Sequence, residues 1–272
     1  MKFEPRLPLD DVNVTPRHPL KEGFVLVVGL IVVVTVLLGL ATFLVDRLVP
    51  YLPQSWEASI FPDFEAMRFT PTTDVEKAQE RELESLLERL LAHWPEHPDG
   101  LRVGLLESSQ PNALAFPGGL ILVTTGLSAR VESENELAFV LGHELGHYRD
   151  RDHVRNLGRG LALTLVLTAM GQSGTVADLV ALSGQLSTRS FSREQESQAD
   201  AFGLMLVEAE FGHVAGATDF FDRLPSPDTA LERSLASYLA THPLSEDRLE
   251  NMDLLAEEKE WETEGETTAI RR

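Results

Sequence analysis

The chain is 272 residues long, carries a formal net charge of -20 and contains no cysteine. That length suits one good-sized domain with appendages. Without cysteine there is no disulfide or thiolate site, so any metal must be held by histidine and carboxylate, and the acidity argues against nucleic acid as a partner, because phosphate contacts need a basic surface.

From the N-terminus, residues 1–22 read as a polar, proline-containing arm in which Lys2, Arg6, Arg17 and Lys21 balance Glu4, Asp10, Asp11 and Glu22. Gly23 to Val45 is uncharged and dense in valine and leucine. A helix of that length, rising about 1.5 Å per residue, crosses a hydrocarbon core of about 30 Å, which predicts a lipid-contacting transmembrane anchor over residues 23–45. Basic residues precede the run and only Arg47 follows it closely. The positive-inside rule then leaves the N-terminus in the cytoplasm and carries the rest of the chain across the membrane.

Pro50, Pro53 and Pro62 mark residues 46–72 as a linker. A domain is expected over residues 73–256. It opens with an amphipathic helix from Thr73 to Trp94, whose stripe is Leu83, Leu86, Leu87, Leu90 and Leu91, and which Pro95 ends. Leu101 to Leu106 and Leu120 to Thr124 read as short strands around a turn-rich segment, Asn112 to Gly119.

The stretch Ser133 to His147, SENELAFVLGHELGH, organises the rest. Ser133 and Glu136 have the spacing of a capping box, and Leu137, Val140 and Leu141 recur at helical spacing. His143 and His147 stand at i and i+4, so both imidazoles share one face, with Glu144 between them. Two such imidazoles can hold zinc while the glutamate reaches the metal-bound water, whose pKa zinc lowers to about 7. Gly142 and Gly146 each cost a helix about 1 kcal/mol relative to alanine. Close approach by a strand or a substrate would explain them.

Beyond the motif, Tyr148 to Arg155 is heavily charged. Gly160 to Gly171 and Thr175 to Leu186 read as an apolar helical hairpin packed in the domain, with membrane-embedded helices as the alternative. SREQESQAD, Ser192 to Asp200, opens a helix running through Glu210. Further helices are expected near residues 215–224 and 228–240, then a break at Thr241-His242-Pro243 and a last helix from about Ser245. Residues 257–272 form an acidic tail expected to fray.

A third ligand has two candidates. His153 stands six residues after His147, as in HExxHxxGxxH, but Asp150 occupies the turn that wants glycine. Glu196 lies with Asp200 at i and i+4 on a predicted helix. It can complete a His₂Glu site of the thermolysin kind, with Asp200 orienting a ligand histidine through its other ring nitrogen.

Four blocks resemble, in order and combination, the HtpX, Oma-type and CAAX prenyl protease family of membrane-associated zinc metallopeptidases. They are NALAFPGGLILVTTGL (Asn112 to Leu127), ENELAFVLGHELGH (Glu134 to His147), SREQESQAD (Ser192 to Asp200) and THPLSEDR (Thr241 to Arg248). The resemblance implies one zinc ion per chain on His143, His147 and Glu196, with Glu144 as base. It implies that the segment Asn112, Ala113, Leu114, Ala115, Phe116, Pro117, Gly118, Gly119 contains an edge strand along which substrate lies. It also implies that His242 and Arg248 belong to the active-site wall. A single convincing span resembles the bacterial quality-control branch more than the multi-span prenyl-protein proteases.

The expected fold is mostly α with a small β-sheet (α+β), a gluzincin-type HExxH domain behind an N-terminal transmembrane helix. The expected function is zinc-dependent hydrolysis of misfolded or membrane-associated polypeptides, through a zinc-bound water, Glu144 as base and His242 as oxyanion partner. The expected location is the bacterial inner membrane, single-pass, with the catalytic domain on the periplasmic side. A zinc-stabilised chaperone or scaffold and a site-2-type intramembrane protease are the alternatives.

Overall fold

The computed structural model describes residues 18–53, 56–57, 68–169, 191–223, 242 and 246–270. The anchor, α1 (Pro19–Leu48), is longer than the uncharged run. Pro19 enters it at a position where its missing N–H costs nothing. None of its most apolar window is buried, so it is long and apolar enough to cross a membrane and exposes that surface. A 3₁₀ turn, Val49–Tyr51, ends it.

Helix α2 (Asp74–Ala92) starts on a full capping box between Thr73 and Glu76 and buries Leu83, Leu86, Leu87 and Leu90. These pack beside a three-stranded sheet of β1 (Arg102–Leu106), β2 (Ala113–Phe116) and β3 (Leu120–Thr124), in the order β1-β3-β2. β1 runs parallel to β3 and β2 antiparallel to it. All of β3 is buried, which is why its five residues form an unbroken apolar run closed by Thr124. Thr124 then caps the short α3 (Thr125–Ser128). The outer edge of β1 is covered, since the Phe69 N–H donates to the Leu105 carbonyl. The outer edge of β2 is the one turned toward the HExxH helix.

That helix, α4 (Glu134–Arg149), is capped by Ser133 accepting from the Glu136 N–H. Only half the expected capping box forms. The Glu136 side chain instead accepts from the Glu132 N–H and pairs with Arg223. Every α4 residue from Glu134 to Tyr148 is buried. Helix α5 (Asp152–Ala169) follows after a corner at Arg151, whose φ is 58°. Helix α6 (Arg193–Phe211) begins with a capping box between Ser192 and Gln195 and ends on left-handed Gly212. A single turn, α7 (Asp219–Asp222), and α8 (Glu246–Glu258) complete the helices among the described residues.

Two expectations differ, and others lie outside the described residues. The first arm of the supposed hairpin belongs to α5 and lies along the anchor rather than in the domain core. Gly158 sits against Val45, and Arg159 pairs with Asp46 at 2.7 Å. The second arm and the helix near 228–240 lie outside the described residues. The tail does not fray over residues 259–270. Trp261 and Ile270 pack on the core, the Glu262 carbonyl accepts from the Val214 N–H, and the Thr268 carbonyl accepts from the Glu134 N–H. A short bridge from Ala269 to Ser133 fastens the tail across the start of α4. Its charge faces water while its backbone and apolar residues find partners, which a composition-based reading does not register.

Candidate metal centre

The site is made by α4 and α6 crossing at very short range. A Cβ on Gly142 would meet the Gly203 Cα at 2.9 Å, and one on Gly146 would meet the Ala199 Cα at 2.8 Å. The two glycines inside the HExxH helix therefore admit another helix, not the strand or substrate expected from sequence. Small residues at 199 and 203 on α6, one turn apart, let the backbones touch. Glu196 and Asp200 on the same helix are thereby brought against His143 and His147.

His143 Nδ1 lies 2.9 Å from Asp200 Oδ1, and His147 Nδ1 lies 3.0 Å from Asp152 Oδ2. A carboxylate only accepts, so both Nδ1 atoms carry hydrogen, and each neutral ring keeps its lone pair on Nε2. The two Nε2 atoms are 3.1 Å apart, and His242 Nδ1 is 3.0 Å from that of His143. Glu196 oxygens lie 3.5 Å from His147 Nε2 and 3.6 Å from His143 Nε2. Lone pairs converging at that range repel unless a cation lies between them. Bonds of about 2.0–2.2 Å to a tetrahedral metal would set its ligand atoms about 3.4 Å apart. One donor atom from each of His143, His147, Glu196 and His242 falls within 4.8 Å of the others, and all four residues are buried. The donor set fits a metal ion.

The surrounding charge points the same way. Burial opposes a proton on His147, yet its hydrogen bonds to the Asp152 and Glu196 carboxylates push its pKa up to about 9. The same carboxylates would favour a metal ion at this point. Against its own burial, Glu196 is held well below the usual carboxylate range by His147 and His242, and Asp200 is lowered by His143 and Arg248. Burial pushes His143 and His242 down, toward the neutral form that ligates.

Glu144 is 1 % exposed, and burial raises it to about 7 although His143 and His147 pull the other way. Its Oε2 accepts from the Ala115 N–H at 3.0 Å. Among the described residues no hydrogen bond reaches its Oε1, which faces His242 Nε2 at 3.4 Å. Such a carboxyl is ready to exchange a proton near neutral pH.

β2 lies at the edge of the sheet. The Asn112 carbonyl accepts from the Thr124 N–H, so in the antiparallel alternation Leu114 and Phe116 face β3 while Ala113 and Ala115 turn their polar groups to the outer edge. The Asn112 side chain accepts from the Ala113 N–H. Pro117, Gly118 and Gly119 make the turn back into β3, with φ of 84° and 85° at the glycines. Arg248, from α8, reaches Glu196 at 2.7 Å and clamps Asp200 with two contacts of 2.8 and 2.6 Å.

His153 is absent from the donor set. Its ring stacks on Tyr148, and its Nε2 lies 3.0 Å from Glu57 Oε2. α4 ends at Asp150, but the chain turns at Arg151 and leads into α5, carrying His153 away from the pocket.

The sequence model of peptidase family M48 matches residues 77–256, the span that contributes every residue of this pocket. The chain belongs to peptidase family M48. It is 28% identical over 157 residues to the mitochondrial metalloendopeptidase OMA1 of fission yeast, Schizosaccharomyces pombe, covering 55% of this chain and 44% of that protein. To the OMA1 of Arabidopsis thaliana it is 31% identical over 155 residues, 56% of this chain and 31% of the other. To the beta-barrel assembly-enhancing protease of Escherichia coli it is 28% identical over 180 residues, 61% and 37%. The chain thus spans less than half the length of each of these relatives.

Two parts of this M48 site escape a reading by spacing. Asp152, which braces His147 and is itself held by the Gln195 amide, sits in a run of alternating charge that reads as a solvated loop. Phe191, stacked on the His147 ring with centroids 3.8 Å apart, precedes the third block by one residue and carries no pattern of its own. Burial would have revealed Asp152, and burial is not a sequence property.

Proposed function

We propose that this chain is a membrane-anchored zinc endopeptidase. What carries the reading is the convergence of His143 Nε2, His147 Nε2 and Glu196 on one point, beside a buried Glu144 that reaches the outer edge of β2. Zinc would be held by these three residues, a donor set it accepts without thiolate. When bound, it supplies a Lewis acid that acidifies water and polarises a carbonyl. Substrate pairs with the outer edge of β2, where the polar groups of Ala113 and Ala115 face outward, so backbone hydrogen bonds supply much of the affinity. Glu144 takes a proton from the attacking water and returns it to the leaving amine. His242, whose Nδ1 lies 3.1 Å from Glu196 Oε1 and whose Nε2 lies 3.4 Å from Glu144 Oε1, lines the same pocket and in its protonated form donates from Nε2 toward the developing oxyanion. Asp200 and Asp152 fix the ring orientation of His143 and His147, and Arg248 neutralises Glu196 and Asp200 from behind.

The family and the relatives' names support polypeptides as substrates, and α1 supports membrane lipid as the surroundings. The basic residues ahead of the anchor favour a cytoplasmic N-terminus and a domain on the far side of a bacterial inner membrane. All the proposed metal ligands come from outside α1, which disfavours hydrolysis within the bilayer. The test uses the full chain in detergent, with zinc stoichiometry and casein cleavage measured for wild type and Glu144→Gln. The variant is expected to keep one zinc ion and lose about 10²–10⁴-fold in turnover, because it removes a base and no ligand. Cleavage by the variant near the wild-type rate, or by a chelator-treated wild type, would overturn the reading.

A further inference from the structure

Glu57 stands outside the span matched to the family, just beyond the anchor, and only 3 % of it is exposed. Its Oε1 receives Arg151 Nε at 3.1 Å and the neighbouring guanidinium nitrogen at 2.7 Å. Its Oε2 lies 3.0 Å from His153 Nε2 and accepts from the Gly118 N–H at 3.3 Å. The remaining guanidinium nitrogen of Arg151 donates to the carbonyls of Val49 and Leu52, where the anchor ends. One carboxylate thus joins three things: the exit of the anchor, the corner between α4 and α5, and the turn that closes β2.

Two of these lead directly to the site. Arg151 has a left-handed backbone, φ 58°, which side-chain-bearing residues rarely adopt. Glycine would make that corner with less strain, so what an arginine adds there is its grip on Glu57 and the anchor carbonyls. The next residue is Asp152, whose carboxylate fixes His147. Gly118 lies in the turn that follows the strand whose Ala115 N–H holds Glu144. Buried ion pairs contribute little net stability because desolvation offsets the attraction. Three cationic or N–H donors on one buried carboxylate, drawn from three elements, are better explained by placement than by stability.

We propose that Glu57 is a positioning residue that couples the seating of the anchor to the metal centre, through Arg151 and Asp152, and to the substrate strand, through Gly118. This rests on the reading of the site as a zinc peptidase. The test compares full-length wild type, Glu57→Gln, Glu57→Asp and Arg159→Gln in detergent. Zinc affinity is read by chelator competition, kcat and KM on an unstructured peptide, and melting in parallel. Glu57→Gln is expected to weaken zinc binding by about 10-fold, the low end for partners outside the ligand shell, and to raise KM several-fold. Because that variant leaves Arg151 charged without its counter-ion, Glu57→Asp keeps the charge but is too short to bridge both Arg151 and Gly118. It should fold and show the same changes, smaller. Arg159→Gln also breaks an anchor ion pair, with Asp46, but touches nothing at the site, so its zinc affinity and KM should stay within about twofold of wild type. The proposal fails if the Glu57 variants melt lower yet bind zinc and cleave like wild type, or if Arg159→Gln alters both constants equally. Should wild type bind zinc but cleave nothing, the peptidase reading falls, and the zinc arm alone still decides for or against Glu57.

Discussion

Among the individual residues, Glu144 carries the sharpest consequence. As the proposed base it must be ionised to accept a proton, so on that reading activity is lost as pH falls through its pKa. Burial raises that pKa to about 7 in the protein alone. A bound dication places positive charge beside it and favours the ionised form, so the holoenzyme value lies lower. The acid limb of a kcat/KM profile is therefore expected at or somewhat below pH 7 and above the ordinary carboxylate range. A limb centred near 9 would assign the titration to another group. Metal retention separates the two candidates for the third ligand. Glu196→Ala should lower zinc occupancy sharply in a graded chelator series, and His153→Ala should leave it nearly unchanged, since His153 Nε2 is engaged by Glu57. Loss of metal in His153→Ala with retention in Glu196→Ala would require a three-histidine site.

The crossing of α4 and α6 is the element on which the site depends. Helix propensity alone says that Gly146→Ala should stabilise by about 1 kcal/mol. The tertiary contact says the opposite, because the new methyl would lie 2.8 Å from the Ala199 Cα, and backbone cannot give way as a side-chain tip can. Overpacking of this kind costs about 1–3 kcal/mol, so the net effect is a loss of up to about 2 kcal/mol. Separating the helices also draws Glu196 and Asp200 away from the imidazoles. Gly146→Ala is expected to melt lower and bind zinc more weakly, both read on the same preparation. A rise in melting temperature would mean that the helices are not in contact here.

For the molecule as a whole, the anchor and the domain are built together. α5 lies along α1 through Gly158 against Val45 and Arg159 with Asp46, while Arg151 grips the carbonyls at the anchor's end. The proposed topology, with the domain on the far side of the membrane, rests on the charge asymmetry around residues 23–45. An alkaline phosphatase fused after the last residue in a bacterial host is expected to be active. An inactive phosphatase beside an active cytoplasmic reporter would reverse the topology.

The sequence by itself determined what local chemistry determines. The anchor follows from an uncharged run, α2 from a capping box and a leucine stripe, and the paired imidazoles from i, i+4 spacing. Glu196 and Asp200 were legible as a pair for the same reason, though spacing alone left His153 open as the third ligand. Tertiary structure decided what depends on burial and on contacts between distant segments. Whether Asp152 braces a ligand or faces water, and whether Gly146 admits a helix or a substrate, turn on which surfaces meet. So do the docking of the acidic tail across α4 and the packing of α5 on the anchor. Hydrophobic period and residue spacing describe one element at a time. Glu57 acts through partners 61 to 96 residues away, a distance that no local pattern encodes.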